Sequence, residues 1–369
     1  MPTTVRSFCK INLGLAIGPP RADGFHALAT CYQTLAAHDQ ITVEARVAAA
    51  TSIQITSNHK GVPTDATNTV WKMVERALPA LKVAASVHVH IDKRLPVQGG
   101  IGAGSANAVA ALLGLERELA AQGVAALPDS DKLRIAAEVG SDVPLFLIGG
   151  TVLGEGRGEQ VSSLADLPAA ECVLALPEIG VSTPQAYRDW DALHPAPSGS
   201  AALTPLSASD RLLTLSRALA SVLAPRPPEA QSTGDGTHSS GVFAQASFRR
   251  EGLAGKSDEN PLLALVRTGI ENDFEQVVFR QYPSLGTIKR ILADSGNPEE
   301  AAMYAALSGS GSALFGLYGS DAAAVAAERR LGEAGIRSLR TRTLPRDEYW
   351  QRMFEQQGAE FEFGIDQRS

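Results

Sequence analysis

The sequence predicts an α+β fold, in which antiparallel strands and helices form separate layers. The first third of the chain contains several segments that are rich in β-branched residues or alternate between apolar and polar residues. Segments with apolar residues three and four positions apart follow a glycine-rich turn near residue 100 and recur in the last third. The order of these segments is not a regular strand-helix-strand alternation, so hairpins packed on helices are favoured over a parallel sheet.

Length and composition limit the classes of protein to consider. A chain of 369 residues suggests about two domains, and 44% hydrophobic with 20% charged residues is typical of a globular protein. The formal net charge of −7 argues against nucleic acid as the main partner, because that partner needs a basic face. No apolar run reaches the roughly 18 residues that span a membrane, so no membrane partner is expected.

Cysteine usage points to a reducing compartment. The three cysteines have neither CxxC spacing nor paired histidines, so we expect no zinc site and no disulfide framework. With no leader-like segment at the amino terminus, a cytoplasmic location is expected. The oligomeric state stays open.

Four strands and one helix are predicted before the glycine-rich turn. The strands lie in segments 10–17, 40–47, 51–57 and 86–95. The last alternates most clearly, with Val87, Val89 and Ile91 on one face. A helix is predicted over 67–81, with Thr67 or Asn68 as its N-cap.

The second half of the chain mixes helices with short strands. Helices are predicted over 105–123, over 130–140 with Ser130 as N-cap, within 260–296 and over 321–335. Strands are predicted within 141–159, 172–183, 305–320 and 337–344. Residues 224–258 are rich in Pro, Ser, Gly and Thr without any period, which is typical of a mobile insertion.

The glycine-rich turn has the character of a phosphate-binding loop. Glycines at 99, 100, 102 and 104 run directly into a helix, whose first N–H groups and dipole attract anions. The dinucleotide pattern GxGxxG fails, since Ser105 or Asn107 stands where the last glycine should be. The pattern GxxxxGK[ST] nearly fits at 250–257, but Arg250 replaces its first glycine. The loop alone therefore leaves a phosphate cradle and a plain turn equally open.

Three further features carry chemistry. Lys10 and Asn12 lie two positions apart on a buried strand and so share a face, and a buried lysine needs a carboxylate or a phosphate. Asp142 follows a predicted helix in a tight turn, and a lysine beside an aspartate suits the activation of a hydroxyl. A second Gly/Ser loop lies at 307–315.

These loops, in this order, resemble the motifs of the GHMP kinase superfamily. The matching segments are 10–15, 96–107 and 308–312. The resemblance implies a two-domain GHMP kinase fold. Its N-terminal domain, residues 1–160, would be like domain 2 of ribosomal protein S5, and its C-terminal domain, residues 161–369, would be ferredoxin-like and contain the insertion.

The segment RADGFH at 21–26 makes the resemblance more specific. It is similar to those GHMP kinases that act on a cytidine diphosphate derivative of methylerythritol in the non-mevalonate isoprenoid pathway. The resemblance is close over 1–190 and weaker over 260–345. It implies that ATP, with Mg²⁺, donates its γ-phosphate to the 2-hydroxyl of the methylerythritol moiety, a small-molecule substrate that carries cytidine diphosphate.

The resemblance also implies roles for individual residues. Asp142 would be the catalytic base and Lys10 its electrostatic partner, while Asn12 would orient the substrate. His26 would contact the edge of the cytosine, Phe25 and Tyr187 would stack on its faces, and Thr183 would lie near the substrate. The residues implied in binding ATP are Asn68, Lys93, Pro96, Gly99, Gly100, Gly102, Ala103, Gly104, Ser105, Ala106 and Asn107.

The phosphate loop departs from the family pattern, which reads close to PxGGGLGGGSSN. Gln98 and Ala103 replace glycines and Ala106 replaces the second serine, so Ser105 is the candidate for contact with the metal. Two alternatives stay open. One is another GHMP kinase, such as a homoserine or mevalonate kinase, although RADGFH argues against it. The other is a nucleotide-binding protein without catalysis, although Lys10 and Asp142 argue against that.

Overall fold

The computed structural model describes residues 2–97, 99–194, 208–223 and 260–354. The predicted insertion at 224–258 and Gln98 lie outside the described residues. Within the described ranges, helices and mainly antiparallel strands form two sheets with helices packed on them, as the α+β prediction requires.

The first sheet contains the strands of the amino-terminal half. They are β1 (Thr3–Pro20), β2 (His26–Val47), β3 (Ser52–Ser57), β4 (Ala85–Asp92), β5 (Thr151–Glu155) and β6 (Gln160–Ser163). The order is β3-β4-β2-β5-β6, with β1 paired to β2 as a long antiparallel hairpin. Only the β3–β4 pair is parallel among these described strands. The four strands predicted in this half are confirmed, although β1 and β2 are much longer than their segments predicted.

Three helices accompany this sheet: α1 (Thr69–Ala80), α2 (Ala103–Ala120) and α3 (Asp129–Val139). Helix α2 packs on β1 and β2, α1 packs on α2, and α3 packs on α1. Asn68 caps α1 by accepting a hydrogen bond from the N–H of Val70, which confirms one of the two predicted caps. The prediction of Ser130 as the cap of α3 is wrong, because the N-cap is Pro128, two residues earlier, with an extended ψ of 145°.

The helices after α3 belong to the carboxyl-terminal half. They are α4 (Thr183–Leu193), α5 (Ala208–Leu223), α6 (Pro261–Arg267), α7 (Glu275–Gln281), α8 (Pro283–Ala293), α9 (Asp321–Glu333) and α10 (Arg346–Arg352). Helices α6 to α9 fall in segments predicted to be helical. Helices α4, α5 and α10 were not predicted. Helix α4 does have a sequence signal for a helix start, because Ser182 caps it and Pro184 lies in its first turn.

The second sheet contains β7 (Glu171–Ala175), β8 (Tyr304–Leu307), β9 (Leu314–Tyr318) and β10 (Ser338–Arg342). The order β10-β7-β9-β8 is antiparallel throughout. Helices α8 and α9 pack on this sheet, and their apolar residues share a buried cluster with Val173, Leu307 and Leu314. These strands confirm the strand predictions for this half.

The two halves share an apolar core at β1. Cys9, Ile11 and Leu13 of β1 lie in one buried cluster with Leu174 and Phe315 of the second sheet. Because β1 lies between the two halves, its side chains can contact polar side chains of both. The division of the chain at residue 160 stays a prediction. In the parts of the chain that the structure describes, helices long and apolar enough to cross a membrane are absent.

Candidate active site

Lys10 lies at the centre of β1 with only 2% of its surface exposed. Its Nζ donates hydrogen bonds to Asn12 Oδ1 at 2.6 Å and to the carbonyl oxygen of Gly100 at 2.7 Å. The same Nζ lies 3.3 Å from Asp142 Oδ2. The two predictions about Lys10, a face shared with Asn12 and a carboxylate partner, are both confirmed by these contacts. A buried ammonium group with three polar neighbours is held in one position.

Asp142 lies in the turn that follows α3, and its side chain is 34% exposed. Its Oδ1 accepts a hydrogen bond from the hydroxyl of Tyr32 at 3.1 Å. Burial, and then the charge of Asp142, raise the pKa of Tyr32, so this hydroxyl stays a hydrogen-bond donor. One carboxylate oxygen of Asp142 therefore accepts a hydrogen bond from Tyr32, and the other lies beside the ammonium group of Lys10. Part of the Asp142 side chain faces solvent.

Tyr32 was not predicted as a site residue. It pairs with Asn12 across the β1–β2 hairpin, in register. Its place in the sequence gives it no distinguishing pattern, because the strand around it is buried over many consecutive residues. Only the hairpin register brings its hydroxyl toward a residue 110 positions away.

The glycine loop before α2 has the geometry of an anion site. Gly99, Gly100 and Gly102 have φ values of +143°, +79° and +70°, which favour glycine. Gly102 is the N-cap of α2, and the N–H of Ala106 is bonded to the Gly102 carbonyl oxygen at 2.9 Å. The N–H groups of residues 103–105 precede that first helical bond and have no acceptor within the helix. Free N–H groups at the positive end of an 18-residue helix suit a phosphate.

The second Gly/Ser loop lies directly against the glycine loop. Ser308 Oγ donates to the carbonyl oxygen of Gly100 at 3.0 Å, and the N–H of Ala313 donates to that of Gly99 at 3.0 Å. A Cβ atom on Gly100 would lie 2.3 Å from the Ser308 carbonyl oxygen, so glycine is required for this approach. The contact brings the three predicted loops to one place around Lys10.

His26 and Tyr187 form a second cluster near the turn at 21–25. Their rings stack with centroids 5.0 Å apart and an interplanar angle of 10°. His26 Nδ1 lies 3.0 Å from the Gly18 carbonyl oxygen, and its Nε2 lies 3.2 Å from Asp191 Oδ1. Phe25 is 51% exposed. The structure thus joins two of the three predicted cytidine residues directly, while the exposed ring of Phe25 lies against Arg157 instead.

Thr183 connects to the Gly/Ser loop. Its Oγ1 is 2.6 Å from Ser310 Oγ, at the start of α4. The arginine Arg157 lies over the ring of Phe25, with 4.9 Å between its Cζ and the ring centroid. Burial raises the pKa of Tyr187, whose hydroxyl therefore remains protonated. Thr183 is thus joined to the Gly/Ser loop, and Phe25 to a cation.

Four of the residues predicted to bind ATP have other partners. Lys93 Nζ is bonded at 2.6 Å to Asp39, which is fully buried. Asn68 uses its amide for the cap and for a bond to the Pro63 carbonyl oxygen. Residues 106 and 107 turn inward: the alanine lies in the apolar core, and the asparagine Oδ1 accepts a bond from the Ser7 hydroxyl at 2.6 Å. The side chains of these four residues are thus engaged in holding the fold.

The remaining residues of the loop are more accessible. Pro96 is half-buried, Gly104 is exposed, and the carbonyl oxygen of Gly104 accepts a hydrogen bond from Thr69 Oγ1 at 2.6 Å. Ser105 is half-buried, and its hydroxyl has no hydrogen bond to any residue that the structure describes. Ser105 is therefore the free hydroxyl in the first turn of α2. Clusters of three or more acidic, histidine or cysteine side chains able to hold a metal ion are absent from the described ranges.

Family models match both halves of the chain. The model for the N-terminal domain of GHMP kinases matches residues 68–150, and the model for the C-terminal domain matches residues 252–337. These two segments contain the glycine loop with Asp142, and the Gly/Ser loop.

Individual proteins give a more specific comparison. A 4-diphosphocytidyl-2-C-methyl-D-erythritol kinase of Solibacter usitatus (strain Ellin6076) is 34% identical over 329 residues, which cover 89% of this chain and 85% of that relative. A crystal structure of 4-(cytidine 5'-diphospho)-2C-methyl-D-erythritol kinase aligns with a TM-score of 0.60 at 24% identity, covering 92% of this chain and 98% of the other.

Structural similarity alone does not select among GHMP kinases. A homoserine kinase from Cytophaga hutchinsonii ATCC 33406 aligns with a TM-score of 0.61 at 18% identity, covering 94% and 96% of the two chains. The fold is therefore common to kinases that differ in substrate. Sequence identity does distinguish these kinases, because the identity to the relative from Solibacter extends over most of both chains. This chain therefore belongs to the 4-diphosphocytidyl-2-C-methyl-D-erythritol kinase family of the GHMP kinases.

Proposed function

We propose that the protein transfers the γ-phosphate of ATP to the 2-hydroxyl of 4-diphosphocytidyl-2-C-methyl-D-erythritol, a step of the non-mevalonate isoprenoid pathway. One observation carries this proposal: Lys10 Nζ contacts both Asp142 and the carbonyl of Gly100 in the glycine loop. A candidate base, a cation and a candidate phosphate site therefore lie within a few ångströms of one another. Phosphoryl transfer depends mainly on such positioning and on charge neutralisation.

In this mechanism Asp142 accepts the proton of the attacking hydroxyl. Lys10, 3.3 Å from Asp142, stabilises the negative charge that develops on the transferring group. The hydroxyl of Tyr32 fixes the orientation of the Asp142 carboxylate. Asn12 is bonded to Lys10 and to Thr30 Oγ1, which holds its side chain in a fixed position, from which it would orient the substrate.

The phosphates of ATP would bind at the amino terminus of α2. The free N–H groups of residues 103–105 and the three glycines with positive φ supply the donors and the space. Mg²⁺ held by the ATP phosphates would neutralise part of their charge. Ser105 fits as its protein contact, since its hydroxyl is free of other bonds within the described part of the chain. We propose no role for the side chains of Lys93 and Ala106 in this site.

The cytidine base would bind beside His26 and Tyr187. Aromatic rings offer flat apolar area to a base, and a histidine can donate or accept a hydrogen bond. The exposed ring of Phe25 would cover the other face of the base. Asp191 occupies His26 Nε2 at 3.2 Å in this structure, and its exposed side chain can move aside for a ligand. We further propose a cytoplasmic location and a boundary between the two domains near residue 160.

An ATP-consumption assay with a panel of acceptors tests this function. The panel contains the cytidine diphosphate substrate, methylerythritol phosphate, mevalonate and homoserine. We expect turnover with the cytidine compound alone, because only that compound has a base that can bind beside the His26–Tyr187 pair. Turnover of mevalonate or homoserine without turnover of the cytidine compound would refute the proposal.

The variant Asp142→Asn tests the assignment of the base. It keeps the size of the side chain and removes the proton acceptor, so we expect most of kcat to be lost while the affinity for ATP stays nearly unchanged. Asp129→Asn, in the first turn of the preceding helix α3, is the matched control. Activity of Asp142→Asn within about tenfold of wild type, a barrier change of about 1.4 kcal/mol, would show that Asp142 is not the base.

A further inference from the structure

Asn272 lies outside the three loops and is nevertheless tied to them. It precedes α7, is 2% exposed, and pairs with Leu15 of β1 in an isolated parallel bridge. A buried amide is costly unless its donors and acceptor are bonded, so its partners indicate what holds it in place. Those partners all lie in the backbone of the carboxyl-terminal half.

The amide of Asn272 clamps the beginning of the Gly/Ser loop. Its Nδ2 donates to the carbonyl oxygens of Leu307 and Gly309, both at 2.8 Å. Its Oδ1 accepts a hydrogen bond from the N–H of Phe274 at 3.1 Å. The two carbonyls flank Ser308, so a single side chain fixes the backbone on both sides of that serine. Both donors of the amide group are used in this clamp.

The clamped segment leads directly to Lys10. Ser308 Oγ bonds to the carbonyl oxygen of Gly100, the same atom that accepts the bond from Lys10 Nζ. A Cβ atom on Gly309 would lie 3.5 Å from Asn12 Oδ1 and 3.7 Å from Lys10 Nζ. The Gly/Ser loop therefore holds the Gly100 acceptor of Lys10 through Ser308 and comes close to the ammonium group at Gly309.

We propose that Asn272 is a positioning residue for phosphoryl transfer: it fixes Ser308, and through the carbonyl of Gly100 it fixes Lys10 beside Asp142. This inference rests on the proposed function of the Lys10–Asp142 pair. A misplacement of about 1 Å in a reacting group can cost about a hundredfold in rate, so a residue without contact to substrate can control kcat. The donors of α2 at residues 103–105 lie outside this chain of contacts, and ATP affinity should depend on Asn272 much less.

The test compares Asn272→Ala with Asn297→Ala, whose side chain is exposed in the turn after α8. We expect Asn272→Ala to lower kcat by about tenfold or more, while the Kd for ATP changes by less than about threefold. Asn297→Ala should match wild type in both quantities. A kcat within about twofold of wild type for Asn272→Ala, in protein shown to be folded by circular dichroism, would overturn the proposal.

A double-mutant cycle separates positioning from a general loss of structure. If Asn272 acts through Ser308, the double variant with Ser308→Ala should have a kcat within about threefold of the poorer single variant, because the two changes break the same path. A loss equal to the product of the two single losses would show independent effects and overturn the inference. If Asn272→Ala unfolds below the assay temperature, Asn272→Ser replaces it in the cycle, since its hydroxyl can still donate one bond.

Failure of this inference can be distinguished from failure of the proposed function. Wild-type turnover across the acceptor panel is measured first and decides the substrate. The cycle is then run with whichever acceptor is phosphorylated. A wild-type enzyme that uses another acceptor refutes the proposed substrate and leaves the coupling of Asn272 to Ser308 to be measured in the same way.

Discussion

Replacement of Gly100 by alanine should damage the contact between the two glycine-rich loops. Gly100 has a φ of +79°, which costs a residue with a Cβ about 1–2 kcal/mol. The new methyl group would lie 2.3 Å from the carbonyl oxygen of Ser308 and 3.1 Å from that of Gly311. Backbone atoms cannot rotate away as a side chain can, so the loops must separate by roughly 1 Å.

The separation lengthens two hydrogen bonds between the loops. They join Ser308 Oγ to Gly100 and the N–H of Ala313 to Gly99, and each contributes about 1 kcal/mol. Strain and lost bonds together predict that Gly100→Ala lowers the free energy of unfolding by about 3–4 kcal/mol. The displaced carbonyl also leaves Lys10 Nζ without one of its acceptors, so kcat should fall as well.

Gly123→Ala is the matched control. Gly123 has a φ of +83°, and a Cβ there would have no atom within 4 Å. This variant therefore has the backbone strain alone, about 1–2 kcal/mol. Urea unfolding measures both variants against wild type, with the slope checked for constancy. A loss for Gly100→Ala that equals the loss for Gly123→Ala within about 0.5 kcal/mol would refute the argument, because the loops would then not be in close contact.

Three further predictions follow from other contacts. His26→Ala should weaken binding of the cytidine substrate in calorimetry and leave ATP affinity unchanged, with His90→Ala on β4 as control; an effect on ATP alone would contradict the cytidine assignment. Lys93→Met should lower the free energy of unfolding in urea by about 3 kcal/mol or more, because it leaves buried Asp39 without its cation. The control Arg134→Met, in an exposed ion pair, should lower it by at most about 1 kcal/mol. Equal losses in the two variants would contradict a structural role for Lys93. Burial lowers the pKa of His38 to about 4, whereas the pKa in the unfolded chain is about 6.5. Between these two pH values the unfolded chain binds more protons than the folded chain. The free energy of unfolding should therefore fall with decreasing pH, by at most about 1.4 kcal/mol per pH unit. His38→Gln should flatten that part of the stability curve, and an unchanged slope would contradict the assignment.

Local patterns were sufficient to predict most of the strands and helices. Alternation identified β4 and its buried face, and the asparagine before α1 was identified as its cap. Helices α4, α5 and α10 were missed. For α4 the reason is that its apolar side is narrow, with Ala186 and Trp190 as its buried residues, so its period is weak. Helix α4 is held in place by the packing of Ala186 and Trp190 in an apolar cluster with Phe274 and residues of α7, rather than by helix propensity.

The candidate site could be predicted in its parts but not in its contacts. Lys10 was expected to need a carboxylate because a lysine on a buried strand is costly when unpaired, and the pair with Asp142 meets that need. The side chain of Lys93 was expected near ATP, yet it is bonded to Asp39. Nothing in the sequence around residue 39 shows that its carboxylate is buried, accepting bonds from Lys93 and from the N–H groups of Arg94 and Leu95.

The sequence by itself determined which residues could carry the chemistry: the buried lysine, the aspartate in a turn, and glycines where a helix begins. Those properties are local, since they depend on residue type and on spacing along one element. Only the tertiary structure decided how they combine. The Ser308–Gly100 bond, the Tyr32–Asp142 bond and the clamp of Asn272 join residues from 35 to 208 positions apart. A periodic pattern shows that a face is buried but not which distant residue covers it, and that choice depends on how the sheets and helices pack together.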